Sequence, residues 1–225
     1  VVETVEHYGR SIHTTRQQEP HAHQIVTDSS NRFAFVPDLG VDKIMIYDFD
    51  GETGKLEPAS PGFVSTHPGG GPRHFVLHPT ERFAYAINEL DSTITVFTFS
   101  NGKLDVIQTI GTLPGHFSGS NMAAAIKVHP SGRFVYGSNR GHDSIAMFCV
   151  DEMTGKLDKM GYQLTQGATP RDFDLDPTGA LLVVCNQDAD NVVSFKVDID
   201  DGFLASTGML VGVSKPSCVR VVSCA

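Results

Sequence analysis

In the stretch GPRHFVLHPTERFAYAINELDS, residues 71–92, an arginine precedes one apolar run and a glutamate follows the next. A guanidinium can grip a phosphate or a carboxylate through two parallel hydrogen bonds. Carboxylates and imidazoles move protons near neutral pH once their surroundings adjust them. Arg73 and Glu89 supply a guanidinium and a carboxylate, and the stretch EPHAHQ supplies two imidazoles, His21 and His23. Residues so far apart in the chain act together only if the elements that carry them bring them to one place.

Those elements recur. Four segments align without gaps over their central parts: HAHQIVTDSSNRFAFVPDLGVDKIMIYDFD, RHFVLHPTERFAYAINELDSTITVFTFS, AAIKVHPSGRFVYGSNRGHDSIAMFCVD and RDFDLDPTGALLVVCNQDADNVVSFKVD. Arg-Phe pairs anchor three of them at Arg32, Arg82 and Arg133, with Ala180-Leu181 in the fourth. Lys55-Leu56, Lys103-Leu104, Lys156-Leu157 and Phe203-Leu204 mark a later point in each unit. A period of about 50 residues with several strands per unit indicates propeller blades. Each unit reads as a short alternating run, a turn, an Arg-Phe-aromatic run, a polar turn, a β-branched run and a last strand after Gly-Lys-Leu. No window of helical length shows a convincing helical period. The fold class is therefore all-β, a β-propeller of four-stranded blades, with a two-sheet sandwich as the alternative.

In a blade the strands meander outward from the axis, so the start of the first and the end of the second lie at the same face. The start positions are His23, Arg73, Ala124 and Arg171, and the end positions are Leu39, Glu89, Arg140 and Gln187. This register predicts that His23, Arg73, Glu89 and Arg140 share a pocket as catalytic residues, with His21, Arg171 and Asn139 as substrate-binding candidates. Asp38, Asn88, Asn139 and Asn186 precede the second set and also suit turn hydrogen bonds. The alternative for Arg73 and Glu89 is a surface ion pair, and for His21 a satisfied polar residue. His74, His78 and His129 read as blade-packing residues, two of them within a repeated His-Pro. The Gly-rich HPGGGPRH is not followed by a helix, so it is a weak phosphate loop. His21 and His23 point to one face of a strand, but no third zinc ligand is evident. Ser/His/Asp nucleophilic chemistry lacks its GxSxG signature.

Composition excludes further classes. The 225 residues are 40% hydrophobic and carry a formal charge of −9. Without a Lys/Arg run, nucleic acid and anionic membrane are not expected partners. No window approaches the roughly 18 apolar residues of a membrane helix. No signal peptide stands out. Cys149, Cys185, Cys218 and Cys224 form no CxxC pair and read as buried or partly buried free thiols, which points to a reducing, cytoplasmic setting.

The motifs EPHAHQ, PDLGVDKIMIYDFD, GGGPRHFVLHP, AINELDSTITVF, SNRGHDSIAMF and TPRDFDLDPTG, in this order over about residues 7–220, resemble the lactonase family of seven-bladed β-propellers. That family includes 6-phosphogluconolactonases of bacterial type and 3-carboxy-cis,cis-muconate lactonizing enzymes. The resemblance implies a catalytic His at His23 (His21 the alternative), two Arg at Arg73 and Arg140, and a Glu at Glu89. It implies hydrolysis of a small anionic lactone, phosphorylated or carboxylated, with no cofactor and no metal. Lactonization of a muconate-type diacid and a non-catalytic metabolite- or protein-binding propeller are the alternative functions. Residues 1–225 read as one such domain that lacks N-terminal blades. VVETVEHYG reads as an outer strand and KPSCVRVV as a further first strand. Oligomeric state does not follow from the sequence.

Overall fold

The structure is a computed structural model that describes residues 3–223. The described strands form four antiparallel four-stranded meanders. The first comprises β1 (Val26–Thr27), β2 (Phe33–Asp38), β3 (Lys43–Phe49) and β4 (Leu56–Ser65). The second comprises β5 (Pro72–Leu77), β6 (Phe83–Asn88), β7 (Thr93–Ser100) and β8 (Lys103–Gly111). The third comprises β9 (Met122–Val128), β10 (Phe134–Arg140), β11 (Ser144–Val150) and β12 (Leu157–Leu164). The fourth comprises β13 (Pro170–Leu175), β14 (Leu181–Asn186), β15 (Asn191–Val197) and β16 (Leu204–Gly212), with a short 3₁₀ turn at Gln187–Ala189. The chain divides into two compact units after Ile110.

In the first unit, Phe33, Phe35, Ile44 and Ile46 pack with Phe75, Ala84, Ala86, Phe97, Phe99 and Leu104. The Phe35 ring lies 5.0 Å from Phe75 and 5.4 Å from Phe99, between centroids. In the second unit, Phe134, Tyr136, Ile145 and Met147 pack with Phe173, Leu182, Val184, Val193 and Phe195. Both sets are the inward positions of adjacent sheets, as period-2 alternation requires.

The repeated residues hold the turns. The guanidiniums of Arg32, Arg82 and Arg133 each sit 5.1 Å from the ring of the phenylalanine that follows. The carbonyls of Arg32, Arg82, Arg133 and Ala180 each accept a backbone N–H from the end of the third strand of the blade. The fourth blade loses its arginine but keeps this bond. His78 and His129 close their turns through Nδ1 against Thr80 and Ser131, so their expected scaffold role is what the structure displays. Asp28 and Asp176 do the same work in the other two blades. Burial raises the pKa of each, but hydrogen bonds from side chains and backbone outweigh it and hold both below their ordinary value.

Three expectations are corrected. The first strand expected at HAHQIV shrinks to Val26–Thr27 plus a single bridge, Ala22 to Asp38. Pro37 is the cause. Its carbonyl accepts from His23 N, so its nitrogen faces the same neighbour and has no hydrogen to donate. Residues 3–9 and 215–222 form no strand. A ladder needs a partner, and these segments are held by side chains instead. Glu3 accepts Leu56 N, while Asp172 and Asp174 accept Val219 N and Val221 N. Cys149 and Cys185 are at least half-buried free thiols as expected, but Cys218 is exposed. Burial pushes the Cys185 thiol up to about 11. Cys224 lies outside the described residues.

Candidate active site

The first strand of the second blade is not regular where it matters. Pro72 pairs with Asn88 and His74 with Ile87, which leaves Arg73 in a bulge. The register slips at the same point around Ala124 and at Arg171. A bulge turns its extra side chain away from the pleat, so this position of the fold is built to redirect one residue. In the second blade that residue is Arg73.

Arg73 Nε lies 3.0 Å from Glu89 Oε2, and both side chains are almost wholly buried. The other carboxylate oxygen accepts Arg16 Nη2 at 2.6 Å. Arg73 Nη1 lies 3.1 Å from His74 Nε2. A guanidinium only donates, so His74 Nε2 is the acceptor and its ring is neutral in this arrangement. The His74 ring lies 5.2 Å from that of His23, between centroids. His23 is exposed, and its backbone N–H is fixed by Pro37 O at 3.1 Å. The result is a continuous set, Arg16–Glu89–Arg73–His74–His23, that ends in an accessible imidazole.

One buried carboxylate organises both arginine-bearing loops. Asp42 Oδ1 accepts Gln17 Nε2 and Gly71 N, each at 2.7 Å. Asp42 Oδ2 accepts Ser11 Oγ at 2.5 Å and Gly69 N at 2.7 Å. Ser11 and Gln17 belong to the loop of Arg16; Gly69 and Gly71 belong to the loop of Arg73. The Gly-rich stretch therefore does cradle an anion, but the anion is the protein's own aspartate. Gln17 is completely buried and also bonds Leu39 O and His13 N. Gly40 is required where this loop passes, because a Cβ there would lie 1.9 Å from Glu19 O.

The structure brings Arg73, Glu89 and His23 into one cluster in the first unit. His21 is exposed and holds Asp38 Oδ1 through its backbone N–H at 2.7 Å. In the second unit, Arg140 ends β10, partly buried, with Nε and Nη2 on Met122 O and Ala123 O. Beside it in sequence, burial and the nearby His116 lower the His142 pKa against the opposing pull of Asp143. Arg171 sits partly buried in its bulge and contributes to holding the Asp188 carboxyl low, after the hydrogen bonds from Thr169 and Lys215. Asn139, a substrate-binding candidate by sequence, sits within the scaffold of its blade. It is completely buried, its Oδ1 accepts Thr112 Oγ1 and its Nδ2 donates to Thr112 O. His74 is corrected from packing to the cluster itself. Arg16 and Asp42 were not expected. Arg16 lies outside the aligned repeat, so no register count reaches it, although its RQQEPHAHQ context adjoins the histidine motif. Among the described residues, no group of three His, Cys, Asp or Glu could hold a metal ion. No described helix is long and apolar enough to cross a membrane.

Four-stranded antiparallel meanders with a bulge at the first strand define propeller blades that carry a polar cluster where first strands begin and second strands end. The chain belongs to the lactonase family, described as a 7-bladed beta-propeller, which it matches over residues 1–221. It is 37% identical over 216 residues to a 6-phosphogluconolactonase of Bacillus subtilis, covering 95% of this chain and 60% of that protein. A 6-phosphogluconolactonase of Pectobacterium carotovorum is 36% identical over 203 residues, 89% of this chain and 60% of that one. The structure of a periplasmic gluconolactonase from Pseudomonas aeruginosa superposes with a TM-score of 0.90 at 34% identity, over 97% of this chain and 61% of that one. The chain thus spans about 60% of the length of the relatives it matches.

Proposed function

We propose that this chain acts in hydrolysis of a sugar lactone, most directly 6-phosphogluconolactone to 6-phosphogluconate. The observation that carries the reading is the buried Arg73–Glu89 pair joined through His74 to the accessible His23. The names of the relatives agree with it. In the proposed reaction water adds to the lactone carbonyl, the carbonyl oxygen becomes an oxyanion, and the ring C–O bond then breaks with a proton delivered to the leaving alkoxide. His23 takes the proton from water and returns it to the alkoxide. Arg73 supplies positive charge near the developing oxyanion, and Glu89 fixes the guanidinium plane. Neutral His74 relays orientation from Arg73 to His23. Arg140 is proposed as a further anion-binding residue on the strength of its motif, and Arg140→Ala tests it through a raised KM. The reaction needs proton transfer and charge stabilisation, which this chain's own groups provide. A cytoplasmic setting is part of the proposal and suits the free thiols of Cys149, Cys185 and Cys218 among the described residues.

The test is the rate of 6-phosphogluconolactone disappearance above its spontaneous rate. His23→Ala should lower kcat/KM by roughly 10²–10⁴-fold, the usual scale of general acid–base help. A wild-type rate no faster than buffer would remove the proposal.

A further inference from the structure

Within the cluster the two guanidiniums that hold Glu89 differ in one respect. Arg73 is sealed, with 2% of its side chain exposed, whereas the side chain of Arg16 is 42% exposed. Arg16 is not a stray surface residue that fell onto a carboxylate. Its backbone N–H bonds His13 Nδ1 at 3.2 Å, and its neighbour Gln17 is pegged into the protein by bonds to Leu39 O and Asp42. Ser11 N and His13 O close the same loop on the Gln17 backbone. A surface loop seldom carries so many internal bonds unless the position of one of its side chains matters.

We propose that Arg16 is a specificity-determining residue that receives the phosphate of a phosphorylated lactone. This inference rests on the lactonase reading above. The chain carries a formal charge of −9, so a dianionic substrate meets a repulsive field except where cations are concentrated. Arg16 and Arg73 bring two guanidiniums together beside Glu89, while the carboxylate of Asp42 is taken up by the loops that carry them. Of the two, Arg73 is committed to a buried pair that is costly to break, while the Arg16 end of its pair already faces water and exchanges cheaply. A guanidinium matches a phosphate in a two-point grip. The bound phosphate then lies on the solvent side of Glu89, and the lactone ring extends toward His23.

The experiment compares 6-phosphoglucono-δ-lactone with glucono-δ-lactone for wild type, Arg16→Ala and Arg16→Lys, together with calorimetric binding of 6-phosphogluconate. Arg16→Ala should reduce the preference for the phosphorylated over the neutral lactone, as a ratio of kcat/KM, at least tenfold, mainly through KM. Arg16→Lys should recover part of that preference, and 6-phosphogluconate affinity should follow the same order. An equal loss on both lactones would reduce Arg16 to a structural role and overturn the inference, as would unchanged product binding in Arg16→Ala. If wild type turns over neither lactone yet binds 6-phosphogluconate through Arg16, the hydrolase reading fails and the phosphate site stands.

Discussion

Replacing Glu89 with glutamine separates the two ion pairs that meet on its carboxylate. The substitution keeps shape and an acceptor oxygen but removes the negative charge that faces the sealed Arg73 guanidinium. Breaking one partner of a buried pair costs about 3–5 kcal/mol. For a protein of this size that is a Tm decrease of roughly 6–20 °C, at about 2–4 °C per kcal/mol. Arg16 contributes far less to stability because 42% of its side chain is in water; Arg16→Gln should cost under about 1 kcal/mol. A double-mutant cycle measured by chemical denaturation isolates each pair. We expect a coupling of at least about 2 kcal/mol for Arg73–Glu89 and below about 1 kcal/mol for Arg16–Glu89. Raising the salt concentration should erase the second coupling and spare the first. Equal couplings, or an Arg73–Glu89 coupling near zero, would refute the claim that a desolvated pair lies at the centre of the site.

Asp42→Ala removes the acceptor of four hydrogen bonds and should destabilise the protein by more than about 3 kcal/mol. The milder Asp42→Asn should lower kcat on the lactone without touching substrate, because both arginine-bearing loops lose their common anchor; steady-state kinetics on folded variant checks this. Gly40→Ala should displace the Arg16 loop, visible as faster proteolysis of residues 10–19 with the Tm changed less than activity. Phe35→Ala empties a completely buried ring site and should cost about 3–5 kcal/mol by denaturant titration. Asp28 and Asp176 titrate below their unfolded value, so their contribution is complete above that value and is lost as pH falls through the lower folded values. Asp28→Asn with Asp176→Asn should therefore flatten the loss of stability as pH falls below the ordinary aspartate value of 3.8.

The four blades were legible because a repeat states its own register: the Arg-Phe anchors, the turn residues and the β-branched runs fall at the same offsets. The pairing of Arg73 with Glu89 followed from that register alone. What escaped lies where the repeat is broken. Arg16 sits in a loop with no counterpart in the alignment, and the bulge at Arg73 shows itself only in the pairing of neighbouring strands. His74 read as packing because a strand residue next to a bulge changes face without any change in sequence pattern. Pro37 was visible, yet its effect on β1 depends on which neighbour its missing N–H would have faced. At Asn139 the sequence pattern and the packing point to different roles. A polar residue beside a candidate arginine invites a binding role, but its amide is consumed by Thr112.

A crystal structure with 6-phosphogluconate bound tests the central claim most directly. The carboxylate formed from the lactone should lie beside His23 and Arg73, with the phosphate on Arg16 and Glu89 still paired to Arg73. Product bound elsewhere on the protein, with this cluster unchanged and unvisited, would contradict it.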